Sequence, residues 1–247
     1  MQKYILLLAL LAAFAASGCV NHSPAGRPVA YHYQMGLSYL GERNYSSALN
    51  ELLEAEKLDP KNPDLLYALG GAYMGKHRPD LAEQKFLKVL SIKPNYSAVR
   101  NSLGVAYLEL KKWDNAIQQF KVVKDDLLYE HHDDAVINLG LAYLGKGSYQ
   151  QALDELTTMK SMAPRNPKVR VALGRVLMAQ DKQAQAVVEY RKAIELYPDY
   201  AAAHYYLGMA LMKSDLVAAR AAFREVVRIT PDTLNGRSSM EYLELLK

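Results

Sequence analysis

Six glycines recur along this chain at nearly constant intervals. They are Gly36, Gly70, Gly104, Gly140, Gly174 and Gly208, separated by 34, 34, 36, 34 and 34 residues. A period of this length constrains a fold more tightly than composition does. Each copy must adopt the same small unit, and copies too small to bury their own apolar face must stack on one another. The flanking positions repeat as well. Met35, Leu69, Leu103, Leu139, Leu173 and Leu207 precede the glycines, and Tyr39, Tyr73, Tyr107, Tyr143, Leu177 and Leu211 stand three residues after them. Ala48, Ala82, Ala116, Ala152 and Ala186 lie twelve after, and Leu52, Phe86, Phe120, Leu156 and Tyr190 sixteen after. Pro60, Pro94, Leu128, Pro164 and Pro198 close the units. The sixth copy keeps the pattern with one residue deleted, at Ala219, Phe223 and Pro231.

Each period holds two helix-length amphipathic segments, in the first unit about 29–41 and 45–58. The small Gly and Ala let the two helices approach, the large residues fill the space between them, and proline ends the second helix by removing a hydrogen-bond donor. This residue set resembles the tetratricopeptide repeat. The resemblance spans residues 29–231 as six units, about 29–62, 63–96, 97–132, 133–166, 167–200 and 201–231. It implies an all-α fold, a right-handed α-solenoid of six helix-turn-helix units with a concave inner face. Residues 232–247 follow, where an amphipathic stretch from Ser238 to Leu246, after a break at Gly236, is expected to cap the last unit.

The amino terminus reads differently. Lys3 precedes an uninterrupted apolar run from Tyr4 to Ala16, and small residues then lead to Cys19, the only cysteine of the chain. This is the pattern of an export signal, too short to cross a bilayer core. Ala16-Ser17-Gly18-Cys19 resembles a bacterial lipobox, with Ala16 in a place usually held by Leu. That resemblance implies cleavage after residue 18, acylation of Cys19, and a lipidated tether over 19–28. With Val20 rather than Asp after the cysteine, it implies the periplasmic face of the outer membrane. Removing Lys3 from 30 Lys+Arg leaves 29 against 26 Asp+Glu, a balance of +3. So small a charge, spread along the chain, is no footprint for nucleic acid.

No phosphate-cradling glycine loop, nucleophile elbow or His-Glu-x-x-His motif is present. A lone cysteine excludes a disulfide framework. The cluster His131-His132-Asp133-Asp134 suits a shared metal poorly, because successive helical residues point in different directions. Asp133 or Asp134 is expected instead to cap a helix before Ala135. The expectation is a non-enzyme with no cofactor, no metal and no small-molecule substrate.

In tetratricopeptide proteins the first helix of each unit lines the concave face, and the resemblance implies three slots per unit there. Three residues before each glycine stand Tyr33, Tyr67, Asn101, Ile137, Val171 and Tyr205. One residue after stand Leu37, Gly71, Val105, Leu141, Arg175 and Met209, and four after stand Leu40, Met74, Leu108, Leu144, Met178 and Met212. The lining is mostly apolar, as interaction surfaces are, and rich in adaptable Met and anchoring Tyr. Only Asn101 and Arg175 fit the family's alternative, a cationic clamp for an acidic peptide tail. The expected ligand is an amphipathic helix or apolar strand of a protein partner.

A lipobox, a short tether, six units and a cap together resemble the PilF, PilW and Tgl group of outer-membrane lipoproteins, the pilotins of type IV pilus biogenesis. The stretch Asp126-Leu127-Leu128-Tyr129 is similar to an Asp-Pro-Leu-Tyr stretch of that group, with Leu127 in the proline's place. The resemblance implies a scaffold that helps a secretin subunit reach or assemble in the outer membrane. The alternative is a general envelope scaffold for cell-wall synthesis or for polysaccharide or protein export.

Overall fold

A computed structural model describes residues 28–246. The expected signal segment 1–18, the expected lipid site Cys19 and the expected tether up to residue 27 lie outside the described residues. Thirteen α-helices and no strand occur among the described residues. The first two units are α1 (Val29–Gly41) with α2 (Tyr45–Leu58), and α3 (Pro63–Gly75) with α4 (Pro79–Ile92). The middle two are α5 (Ser97–Glu109) with α6 (Trp113–Lys124), and α7 (His132–Lys146) with α8 (Tyr149–Met162). The last two are α9 (Pro167–Ala179) with α10 (Gln183–Leu196), and α11 (Ala201–Leu211) with α12 (Leu216–Ile229). A single helix, α13 (Leu234–Leu245), ends the chain.

Local chemistry sets these boundaries. Pro63, Pro79 and Pro167 stand at helix starts, where the missing N–H is no loss. Asn44, Asn62, Asn166 and Thr233 accept hydrogen bonds from the backbone N–H groups of the turns they open. Between the two helices of a unit the chain reverses through one left-handed residue: Arg43, His77, Lys111, Gly147 or Asp181. The sixth unit does without one. Its deletion falls in this turn, and Asp215 instead caps α12, accepting from the Ala218 N–H at 2.9 Å.

The repeating glycines work by close approach. A Cβ added at any of the six would stand 2.2 to 2.7 Å from Leu52, Phe86, Phe120, Leu156, Tyr190 or Phe223, the large residue of the same unit's second helix. Each helix pair therefore meets at backbone distance on one side with a large side chain filling the gap. All six of these large residues are at most 1% exposed, and the six small partners from Ala48 to Ala219 are fully buried. Burying a ring such as Phe86 contributes about 1.5–3 kcal/mol.

Consecutive helices pack on each other along the whole described chain. Each first helix also touches the first helix of the next unit, while the backbones of successive second helices stand farther apart. The first helices therefore form a tight inner row and the second helices a splayed outer one. That difference in spacing curves the stack, with the first helices on its concave side.

Two expectations are corrected. Helix α7 begins at His132, with His131 rather than an aspartate in the capping position. The His132 ring sits 2.9 Å from the Lys124 carbonyl and fixes that start. Asp133 and Asp134 lie in the first turn, where their charge favours the helix dipole. Gly236 is not a break but lies inside the first turn of α13, donating its N–H to the Thr233 hydroxyl. It is glycine because a Cβ would stand 2.0 Å from the Thr230 carbonyl oxygen.

Candidate interaction groove

The inner row brings most of the expected slots to one face, in two chambers of different chemistry. The first, about 560 Å³, spans units one to three. It is lined by Tyr33, Leu37 and Leu40 of α1, Tyr67, Gly71 and Met74 of α3, and Asn101 and Val105 of α5. Leu37 and Gly71 are exposed at its mouth. The Tyr67 ring is held against Phe86 and Tyr96, with centroids 5.9 and 6.0 Å away, and its hydroxyl lies 3.3 Å from that of Ser102. Nothing stands within 4 Å of where a Gly71 Cβ would be, so this glycine opens space rather than closing a contact.

The second chamber, about 430 Å³, spans units three to six and is more polar. Ile137, Leu141 and Val171 form its floor, and Asp134, Lys168, Arg175, Tyr200 and Tyr206 stand around it. Asp134 and Lys168 are paired at 2.7 Å. The Arg175 guanidinium lies over the Tyr206 ring, 5.1 Å from its centroid. Ile137 and Val171 are only 5% exposed, because neighbouring first helices close over them. A ligand here would meet tyrosine hydroxyls and charge before it met apolar surface.

Asn101 lines both chambers. Its side-chain oxygen is buried without a hydrogen-bond donor. Beside it stands Tyr129, delivered by the long turn between units three and four. Burial raises the Tyr129 phenol above its usual value, the Tyr67 phenol and Asp134 add to the rise, and a hydrogen bond with Asn101 opposes it. Tyr33 is likewise raised, by burial first and then by Asp64 and Tyr96.

The remaining slots line neither chamber. Leu108 and Leu144 are partly buried against the central core, and Met178, Tyr205 and Met212 against the carboxy-terminal one. Tyr205 packs among Tyr206, Phe223 and Tyr242. Met209 is exposed. Reading only first-helix slots missed the tyrosines carried by the turns between units, Tyr96, Tyr129 and Tyr200. For two of them a signal existed, since Tyr96 and Tyr200 each stand eight residues before an anchor glycine. Among the described residues no group of three or more His, Cys, Asp or Glu side chains could hold a metal ion.

Comparison with known proteins agrees with this architecture. The family described as "Tetratricopeptide repeat" matches residues 33–97 and 102–167, and "TPR repeat" matches 174–215. A tetratricopeptide repeat protein from Parabacteroides merdae superposes with a TM-score of 0.80 at 17% identity, covering 99% of this chain and 93% of that one. PilW, described as a widely conserved type IV pilus biogenesis factor, superposes with a TM-score of 0.67 at 20% identity, covering 87% of this chain and all of that one. Pseudomonas aeruginosa PilF gives 0.63 at 22%, covering 87% and 97%. Among curated proteins, human protein O-mannosyl-transferase TMTC1 is 28% identical over 114 residues, 44% of this chain. The chain spans 13% of that protein's length.

Proposed function

This chain belongs to the tetratricopeptide-repeat family, and we propose that it is a non-catalytic scaffold whose first chamber holds an apolar segment of a partner protein. The observation that carries this reading is the junction of the chambers. An open apolar trough at Leu37, Gly71 and Val105 ends at a buried Asn101 oxygen without a donor. A partner backbone N–H would satisfy that oxygen while apolar side chains filled the trough, which is how extended or helical segments are taken by grooves.

The finer proposal is that the scaffold hangs from the outer membrane by acylated Cys19 and assists assembly or placement of a type IV pilus secretin. Two considerations support it: the lipobox-like residues 16–19, and the likeness in fold to PilF and PilW over most of both chains. The wider reading is an envelope scaffold for cell-wall synthesis or for polysaccharide or protein export.

Leu37→Arg combined with Gly71→Arg tests the groove. Both positions are exposed, so the fold should persist while the trough is blocked. Loss of a co-purifying partner with unchanged circular dichroism is expected, and retained partner would overturn the groove reading. Secretin multimers resolved on gels, with and without this gene, separate the two pathways. Unchanged multimers would remove the pilus proposal and leave the groove intact. Cys19→Ser should move the protein from the membrane to the soluble fraction.

A further inference from the structure

On the outer side of the stack, three of the five clefts between successive second helices carry a recurring ion pair. The residue twenty after one anchor glycine faces the residue fifteen after the next. Glu56 meets Lys85 at 2.6 Å, Lys124 meets Glu155 at 2.7 Å, and Lys160 meets Glu189 at 3.3 Å. Between units five and six the corresponding residues are Ile194 and Ala222. This cleft holds an apolar cavity of about 580 Å³ between α10 and α12, floored by Leu207 and Leu211 of α11. Arg191 and Arg224 stand at its rim with Glu195 and Glu225. Glu225 is already paired with Arg228 at 2.7 Å. Arg191, Arg224 and Glu195 are exposed and have no ion-pair partner among the described residues, so the rim offers two free cations and one free carboxylate.

A complementary feature stands on the long turn after α6. Leu127 is 78% exposed and Leu128 97%. They are not free to fold back. The Leu128 N–H donates to the Asp126 carboxylate at 3.2 Å, the Ser97 hydroxyl donates to the same carboxylate, and the next residue, Tyr129, is packed against the core. Asp125 and Glu130, both exposed, flank the pair. The turn thus presents two apolar side chains between two carboxylates, already ordered, so docking it loses little conformational entropy.

We propose that the cleft between α10 and α12 receives the Leu127–Leu128 turn of a second copy of this chain, with Asp125 facing Arg224 and Glu130 facing Arg191. The argument is one of charge and shape. An apolar cleft whose rim carries two unpaired cations beside a single unpaired carboxylate meets an apolar knob between two unpaired anions. Each molecule carries one knob and one cleft, and these are different surfaces. The contact is therefore heterologous and adds copies head to tail, as a ring or an open row. So small a contact is weak and concentration-dependent. It leaves the inner groove free, and does not depend on the function proposed above.

Cross-linking of the full-length chain tests this directly, because Cys19 is its only cysteine. In a Cys19→Ser background, Leu128→Cys and Ala221→Cys place thiols on the knob and beside the cleft, both at exposed positions. The chain carrying both substitutions should give a ladder of covalent dimers, trimers and higher species with a short bismaleimide. Each single variant alone should give none. An equal mixture of the two single variants should stop at the dimer. Arg224→Glu in the cleft-labelled chain should lower that dimer yield about five-fold, and Asp125→Lys in the knob-labelled chain should restore it. No ladder across roughly 10 µM to 1 mM protein, or equal cross-linking of either single variant with itself, overturns the proposal. So does a dimer yield indifferent to both charge reversals.

Discussion

Gly70 and Gly71 are adjacent residues of one helix, and alanine at the two positions should shift stability in opposite directions. In a helix interior the change from Gly to Ala is favourable by about 1 kcal/mol, through lost backbone freedom in the unfolded chain, and this gain is the same at both sites. The surroundings are not. At Gly71 nothing lies within 4 Å of the new methyl, so Gly71→Ala should raise stability by about 0.5–1 kcal/mol. At Gly70 the new Cβ would stand 2.2 Å from Cε1 of Phe86, and 2.7 Å from Cδ1 and Cζ. An ordinary contact needs at least about 3.4 Å, so the ring or the helix must move by more than an ångström. Phe86 is 1% exposed, and its ring is packed against Tyr67. Overpacking of this kind costs about 1–3 kcal/mol or slightly more, which outweighs the propensity gain. Because the propensity gain is common to both, the two variants should differ by the overpacking cost alone, about 1–3 kcal/mol, with wild type between them. Urea unfolding followed by far-ultraviolet circular dichroism reads the order directly. If Gly70→Ala unfolds at or above the wild-type midpoint, the six glycines are not there for close approach, and the packing account of the repeat is wrong.

Three further outcomes are expected. Lys111, held at φ 57° in the turn of the third unit, should be replaceable by Gly with a gain of up to about 1 kcal/mol in urea unfolding, as Gly147 already serves the fourth unit. Glu56→Lys sets a cation against Lys85, whose side chain is only 14% exposed, and should lower stability by about 2 kcal/mol. Adding Lys85→Glu should recover most of that loss, though not all, because Lys88 also approaches Glu56, at 3.8 Å. Burial raises the phenols of Tyr190 and Tyr200 above the ordinary value of 10.0, so at high pH the unfolded chain ionises first. Their contribution to stability is complete below pH 10 and is lost as pH rises above it, which thermal melts from pH 8 to 11 would show as a falling Tm only beyond pH 10.

The contact between each anchor glycine and the large residue sixteen positions on, fifteen in the sixth unit, was legible in the sequence, because it lies within one rigid hairpin and any such hairpin realises it. What joins one hairpin to the next was harder to read. The pairs Glu56–Lys85, Lys124–Glu155 and Lys160–Glu189 lie 29 or 31 residues apart, and sequence alone does not say which faces of neighbouring units meet. The division of the groove was hidden for the same reason. Asn101 and Tyr129 come together only because a longer turn carries the tyrosine inward, and turn geometry has no helical period to reveal it. The aspartates beside His132 were misread since a cap is decided by where the previous helix releases the chain, here by His132 against the Lys124 carbonyl. Gly236 was misread because glycine marks both a break and a crowded backbone, and only the neighbouring carbonyls distinguish the two.

The differing polarity of the outer ion pairs also limits how such a gene can be rearranged. In the first seam the acid comes from the earlier unit, Glu56, and in two later seams the earlier unit supplies the base, Lys124 or Lys160. Unequal recombination that dropped the fourth unit would set Lys124 opposite Glu189 and keep a matched joint. Dropping the second and third together would set Glu56 against Glu155, two carboxylates in one narrow cleft. Copies so alike in outline are therefore not interchangeable, and the order of units along the chain is inherited as a lock-step whole, with only certain places where descendants could lengthen or shorten it.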